Sequence, residues 1–93
     1  STPPRVSLCL IVKNEEANLA ACLGPVASLF HEIVVVDTGS TDRTRDIALS
    51  FGAKLVEQEW KDDFASARNA AIDAASGDLI FWLDADDRVD EEN

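Results

Sequence analysis

The 93-residue chain contains no methionine and few basic residues: 8 Lys and Arg stand against 18 Asp and Glu, a formal net charge of -10. So acidic a chain has no basic stripe to lay along a phosphate backbone, which excludes nucleic acid as an expected partner. The missing methionine leads us to expect a removed initiator or a piece of a longer protein. There is no run of about 18 apolar residues, the length a membrane span needs, so no membrane span is expected. The apolar run within "STPPRVSLCLIVKNEE" is short and lacks a small-residue cleavage site, and it reads as a strand rather than a secretory signal. Two cysteines are too few for a disulfide framework. Cys9 sits in an apolar run and Cys22 in a helical pattern, so both are expected as buried free thiols in a reducing, cytoplasmic setting. No Gly-x-Gly-x-x-Gly follows the first strand, which excludes a dinucleotide-binding dehydrogenase.

What is present is alternation. The apolar fraction of 46% supports one modest core, hence a single domain over 1–93. Strands are expected at 5–12 ("RVSLCLIV"), 32–36 ("EIVVV"), 53–58 ("AKLVEQ") and 79–83 ("LIFWL"). Between them, helical spacing runs over 15–26, 41–52 and 63–77. Gly24-Pro25 should end the first helix. Ser40 or Thr41 could cap the second, with Gly52 past its end. The third should bury Phe64, Ala67, Ala71, Ile72 and Ala75. Strands one, two and four are apolar without alternation, which marks buried parallel strands with helical crossovers on both faces. The charged third strand belongs near an edge. The stretch "DTGS" at 37–40 has the sequence of an aspartic protease signature, but such proteases are almost entirely β, and three helical segments between strands exclude that reading.

In a parallel α/β sheet the strand C-termini and the following helix N-termini share one rim, where ligands bind. Four segments converge on it: Lys13, Asn14 and Glu15; Asp37, Thr38, Gly39 and Ser40; Arg68; and Asp84, Ala85, Asp86 and Asp87. Bland alternatives exist for most. Asp37 could close a turn, Gly39 could serve only its backbone, Arg68 could be a solvated helix residue, and Lys13 and Asn14 could be loop residues. His31, Trp60 and Trp82 read as structural. Asp84 and Asp86 differ. Two carboxylates at i, i+2 repel unless a cation joins them, and a hard divalent ion, Mg²⁺ or Mn²⁺, fits oxygen ligands of this kind. Asp86 is expected as the direct ligand and Asp84 as a ribose or water-mediated contact.

The motifs "SLCLIVKNEEANLAACL", "EIVVVDTGSTDRT", "DDFASARNAAIDAASGD" and "LIFWLDADD", in this order and spacing, resemble the N-terminal, nucleotide-binding half of a family 2 glycosyltransferase with the A-type fold. The form "WKDDFASARN" is similar to the branch often joined to helical repeats. The resemblance implies a Rossmann-like sheet of about four strands in the order 3-2-1-4. It implies a nucleotide-diphosphate sugar, typically UDP-linked, as donor. Asp37 would then pair with the base. Val12, Lys13, Asn14 and Glu15 would flank base and ribose. Gly39, Ser40, Arg68, Asp84 and Ala85 would line the nucleotide, and Asp84 and Asp86 would hold the metal and sugar diphosphate. Transfer would proceed with inversion, by a general base from a later segment, so no catalytic residue is assigned within 1–93 and this stretch alone is expected to be inactive. Strand four would be an open edge, expected to drive homodimerisation.

Two other readings remain at this level. "LDADDRV" approaches the Asp-x-Asp motif of haloacid-dehalogenase phosphatases, but Arg88 stands where that motif has Thr or Val, and the motif there ends the first strand rather than the fourth. A non-catalytic module binding nucleotide or a partner is the other.

Overall fold

The computed structural model describes residues 3–60 and 64–83. Four parallel strands, β1 (Val6–Val12), β2 (Glu32–Asp37), β3 (Lys54–Glu57) and β4 (Leu79–Trp82), form one sheet in the order β3-β2-β1-β4. Three helices connect them: α1 (Leu19–Leu23) with a 3₁₀ turn (Ala27–Leu29), α2 (Thr44–Ser50) and α3 (Phe64–Ala74). The strand order and the charged edge at β3 are as the sequence implies.

The unbroken apolar runs of β1 and β2 serve both faces of the sheet, because successive side chains point to opposite sides. Leu8, Leu10, Val12, Ile33 and Val35 pack with Leu19, Cys22, Leu23 and Ala48 on the face covered by α1 and α2. Cys9, Val34 and Val36 pack with Ala67 and Ala71 of α3 on the other. Leu10 is fully buried, and truncating such a residue to Ala costs about 2–5 kcal/mol. Cys9 and Cys22 are buried thiols, as expected. Burial, followed by the nearby Glu32 charge, pushes the Cys9 thiol up to about 11, so it stays protonated and unreactive.

Several boundaries and burials depart from expectation. The first helix begins at Leu19 rather than 15; ahead of it the backbone N–H groups of Glu15 and Glu16 bond to Thr44 Oγ1 and Asp42 Oδ2. It ends before Gly24-Pro25 as foreseen. The second begins at Thr44 rather than 41, and neither Ser40 nor Thr41 caps it. The Thr41 N–H goes to Asn14 Oδ1 and the Arg43 N–H to Glu16 Oε1. Gly52 does follow its end, at φ 76°. In α3 only Ala67 and Ala71 are fully buried; Phe64 and Ile72 are about half exposed, at 52% and 45%. The small residues let α3 lie close to the sheet, which leaves its bulky residues at the margins. β4 reads as a buried strand in sequence, yet Leu79, Ile80 and Phe81 are exposed because β4 is an edge with only β1 beside it among the described residues.

Candidate functional site

The C-terminal rim is organised around Asp37, the last residue of β2. In register it lies between Val12 of β1 and Glu57 of β3. Its main-chain carbonyl accepts the Gln58 N–H at 2.9 Å. Thr38 fastens the chain to β1, donating both its N–H and its hydroxyl to the Val12 carbonyl, each at 3.0 Å. Gly39 follows at φ 114°, a conformation closed to residues with a side chain, and its turn returns the backbone to the carboxylate. The Asp37 carboxylate is buried and four donors converge on it. Oδ2 accepts the N–H of Gly39 at 3.3 Å, the N–H of Ser40 at 3.1 Å and Arg45 Nη1 at 3.2 Å. Oδ1 accepts the Ser40 hydroxyl.

A second layer of bonds joins the loop after β1 to the loop after β2. The Asn14 N–H donates to Ser40 Oγ at 2.8 Å, and the Asn14 side-chain carbonyl accepts the Thr41 N–H at 2.7 Å. Asn14 adopts φ 53°, a left-handed position that asparagine tolerates better than most residues. The Glu15 and Arg43 bonds described above complete this zip. Thr44, fully buried, anchors it from α2, and its N–H and hydroxyl both bond the Asp42 carboxylate, at 2.9 and 2.5 Å. These bonds, led by the Thr44 hydroxyl, hold the Asp42 carboxyl below its ordinary range.

Two adjoining cavities open on this rim, each of about 310 Å³. The first is lined by Asp37, Thr38, Gly39, Arg45, Glu57, Gln58, Glu59 and Trp60. The second is lined by Ile11, Val12, Lys13, Glu15, Thr38 and Trp60. Thr38 and Trp60 are common to both. Of the residues singled out in the sequence, the structure thus gathers Val12, Lys13, Glu15, Asp37 and Gly39 onto the two cavities. Asn14 and Ser40 stand behind them as the links that set the loop positions. Arg68 lines neither cavity; its guanidinium stacks over the Trp82 ring at 4.8 Å and the Phe64 ring at 5.5 Å. Asp84, Ala85 and Asp86 lie outside the described residues. β4 runs parallel to β1 and so heads toward this same rim; the Leu83 N–H bonds the carbonyl of Cys9, in the middle of β1, at 3.1 Å. Among the described residues no group of three His, Cys, Asp or Glu side chains is placed to hold a metal ion.

Two residues that the sequence did not reveal contribute. Arg45 forms the ion pair with Asp37. Nothing in "TDRTRD" separates it from Arg43, which instead faces solvent and pairs loosely with Asp46 at 4.0 Å. Trp60 forms the wall between the cavities, whereas Trp82, like His31, is away from them.

The opposite end of the sheet has its own carboxylate. Glu32 opens β2 and accepts the Ser7 hydroxyl at 2.6 Å and the N–H and hydroxyl of Ser76, with Lys54 Nζ at 3.5 Å. The Ser7 bond first, then the Ser76 N–H, hold its carboxyl down at about 2. A smaller cavity of about 190 Å³ lies beside it, lined by Arg5, His31, Glu32, Ser76 and Gly77.

Comparison with known proteins places this rim in context. The model of glycosyl transferase family 2 matches residues 7–93. A TPR repeat-containing protein of Synechococcus elongatus is 52% identical over 85 residues, covering 91% of this chain and 21% of its own. The crystal structure of Staphylococcus aureus TarS superposes with a TM-score of 0.79 at 26% identity, over 90% of this chain and 17% of its own. Mycobacterium tuberculosis glucosyl-3-phosphoglycerate synthase, crystallised with Mn²⁺, UDP and glucosyl-3-phosphoglycerate, superposes with a TM-score of 0.71 at 28% identity, over 88% of this chain and 33% of its own. The chain therefore spans between about a sixth and a third of these relatives. A match along nearly its whole length, with the A-type strand order and a rim built around Asp37, identifies the chain as a member of glycosyl transferase family 2.

Proposed function

We propose that this rim is the donor site of a glycosyltransferase and binds a uridine-diphosphate sugar, with the base in the Asp37 cavity. The observation that carries this reading is the charge of that cavity. Among the described residues Asp37, Glu57 and Glu59 outnumber the one guanidinium of Arg45, so a diphosphate would be repelled there. A neutral base with an N–H to donate suits it. The ribose and first phosphate then pass over the second cavity, beside Val12, Lys13 and Glu15. The UDP and Mn²⁺ bound to the mycobacterial synthase support the same assignment.

Asp84 and Asp86 are the residues that would hold a divalent ion, Mg²⁺ or Mn²⁺; their side chains are hard oxygen donors at the end of β4. Bound there, the ion would offset negative charge on the departing diphosphate. The described residues act on the donor instead. The zipped loops fix Asp37 before ligand arrives, so little ordering is required on binding. Thr38 and Gly39 keep the cavity floor low, and Gly39 presents no side chain to the ligand. Arg68, held on Trp82, lies on the α3 side toward the expected path of the diphosphate.

The relatives are about three to five times the length of this chain, which supports placing the general base and the acceptor site in a further part of the protein. Residues 1–93 then form the donor-binding domain, inactive on their own, and sugar transfer with inversion belongs to the whole enzyme. The two buried thiols support a reducing, cytoplasmic location. The exposed apolar edge at Leu79, Ile80 and Phe81 supports homodimerisation of the isolated chain; light scattering of wild type against Phe81→Lys reads it, with a monomeric wild type as the contrary result.

Titration calorimetry of the chain with UDP, with and without Mn²⁺, tests the donor reading. Binding that weakens on chelation and on Asp86→Ala is expected. Absence of UDP binding under both conditions would overturn it.

A further inference from the structure

Among the described residues the Asp37 cavity contains one cation, Arg45, and its hydrogen-bond inventory is incomplete. Arg45 Nη1 donates to Asp37 Oδ2 at 3.2 Å and to the Ser40 carbonyl at 3.0 Å. These two bonds account for both N–H groups of Nη1. A guanidinium has five, so Nε and Nη2 retain three N–H groups with no recorded partner among the described residues. The Arg45 side chain is 39% exposed, whereas that of Asp37 is 1% exposed. Arg45 is therefore the more accessible half of the pair, and it is pinned at one nitrogen while its remaining donors are open. On the Asp37 side, Oδ1 accepts one bond, from the Ser40 hydroxyl, and retains a second acceptor site.

A fixed acceptor beside a fixed donor defines the chemistry of what can lie against them. The complementary edge has an N–H next to a ring carbonyl. Uracil offers this at its imide. Cytosine and adenine present a ring nitrogen lone pair next to an amino group at the same edge, which sets lone pair against carboxylate and N–H against guanidinium. We propose that Arg45 is a specificity-determining residue that donates to a carbonyl oxygen of the base while Asp37 accepts the adjacent ring N–H. This deepens the donor-site assignment and rests on it. The Ser40 carbonyl and Asp37 Oδ2 keep the guanidinium from turning toward the phosphates, so its contribution falls on the base alone.

The experiment is calorimetry of the wild-type chain, Arg45→Ala and Arg45→Lys with uridine, UDP, CDP and ADP, with thermal melting of each variant alongside. Arg45→Ala is expected to weaken uridine and UDP by the same factor, about 10- to 100-fold, the range for a hydrogen bond to a charged group. CDP and ADP, weak already, should change less than about threefold. Arg45→Lys keeps the charge but loses the fork, so it should recover less than half of that loss. Should Arg45→Ala melt too low to assay, the lysine variant with uridine carries the test. Weakening of UDP with uridine unaffected would move Arg45 to the phosphates and overturn the proposal. Equal weakening of all four ligands would reduce Arg45 to a structural role and overturn it too. Wild-type protein that binds none of them overturns the donor site itself, and this assignment with it.

Discussion

The two ends of β2 carry similar chemistry to different ends. Glu32 and Asp37 are both carboxylates at a strand terminus, both reached by a serine hydroxyl and a serine N–H, and both paired with a cation. Glu32 ties together β1, β2, β3 and the turn before β4, four segments distant in sequence. Asp37 draws its four donors from within eight residues of itself. A carboxylate bonded to remote segments is a fastener. One bonded to its own loop holds that loop in shape beside the cavity that the loop lines. The density of hydrogen bonds does not distinguish the two. The direction those bonds come from does, together with the open cavities beside Asp37.

The largest expected effect is on binding. Asp37→Ala should lower UDP affinity about 100-fold or more, since it removes the acceptor and leaves Arg45 without its anchor. Calorimetry measures it, and an affinity within threefold of wild type would erase the contrast between the two ends. Next, Glu32→Gln should cost about 2 kcal/mol in urea denaturation, by weakening charge-assisted bonds to Ser7 and Ser76, and should leave UDP affinity unchanged. A similar loss of binding there would mean that the two ends act as one unit. Third, Gly77→Ala attacks the Glu32 cluster from another residue. A Cβ there would lie 2.5 Å from Ser7 Oγ and 2.9 Å from the Arg5 carbonyl, so Ser7 must turn from Glu32. The expected cost is about 1–2 kcal/mol, with little further loss when combined with Glu32→Gln.

A further effect on stability concerns pH. The Glu32 carboxyl is lowered from 4.5 to about 2 in the folded chain. The unfolded state binds its proton first as pH falls, so its contribution is complete above about pH 4.5 and disappears as pH drops toward 2. Wild type should lose stability across that window more steeply than Glu32→Gln, as read by thermal melts at stepped pH. Parallel curves would show that other carboxylates govern the acid limb.

The sheet was readable from sequence because each strand is a run of apolar residues bounded by polar ones, and because charge on "AKLVEQ" marks an edge. Asp37 was readable for the same reason: it is the first polar residue after "IVVV". The zip between the rim loops was not. Ser40, Thr41, Asp42 and Thr44 have the composition of a helix cap, and the same hydroxyls and carboxylates can satisfy N–H groups of their own helix or of a neighbouring loop. Only the approach of the β1 loop decides between them. Arg45 was hidden because two arginines one residue apart differ only in which way a short helix turns them. The exposure of Leu79, Ile80 and Phe81 could not follow from an apolar run, which specifies a strand but not what covers it. Asp84 and Asp86 follow that strand in the sequence and lie outside the described residues.

The place of β1 at the centre of the sheet has a consequence for the order of events during synthesis. Among these four strands β1 leaves the ribosome before the others, yet it bonds β2 in the register Ser7 to Glu32 and β4 in the register Val6 to Leu79. The Arg5 N–H reaches Asp78, 73 residues on. Its neighbour on one side therefore emerges early and its neighbour on the other much later. A nascent chain can assemble β1, β2, β3 and both intervening helices while one flank of β1 still waits, and the polypeptide must keep that apolar flank from wrong partners until Trp82 has been made.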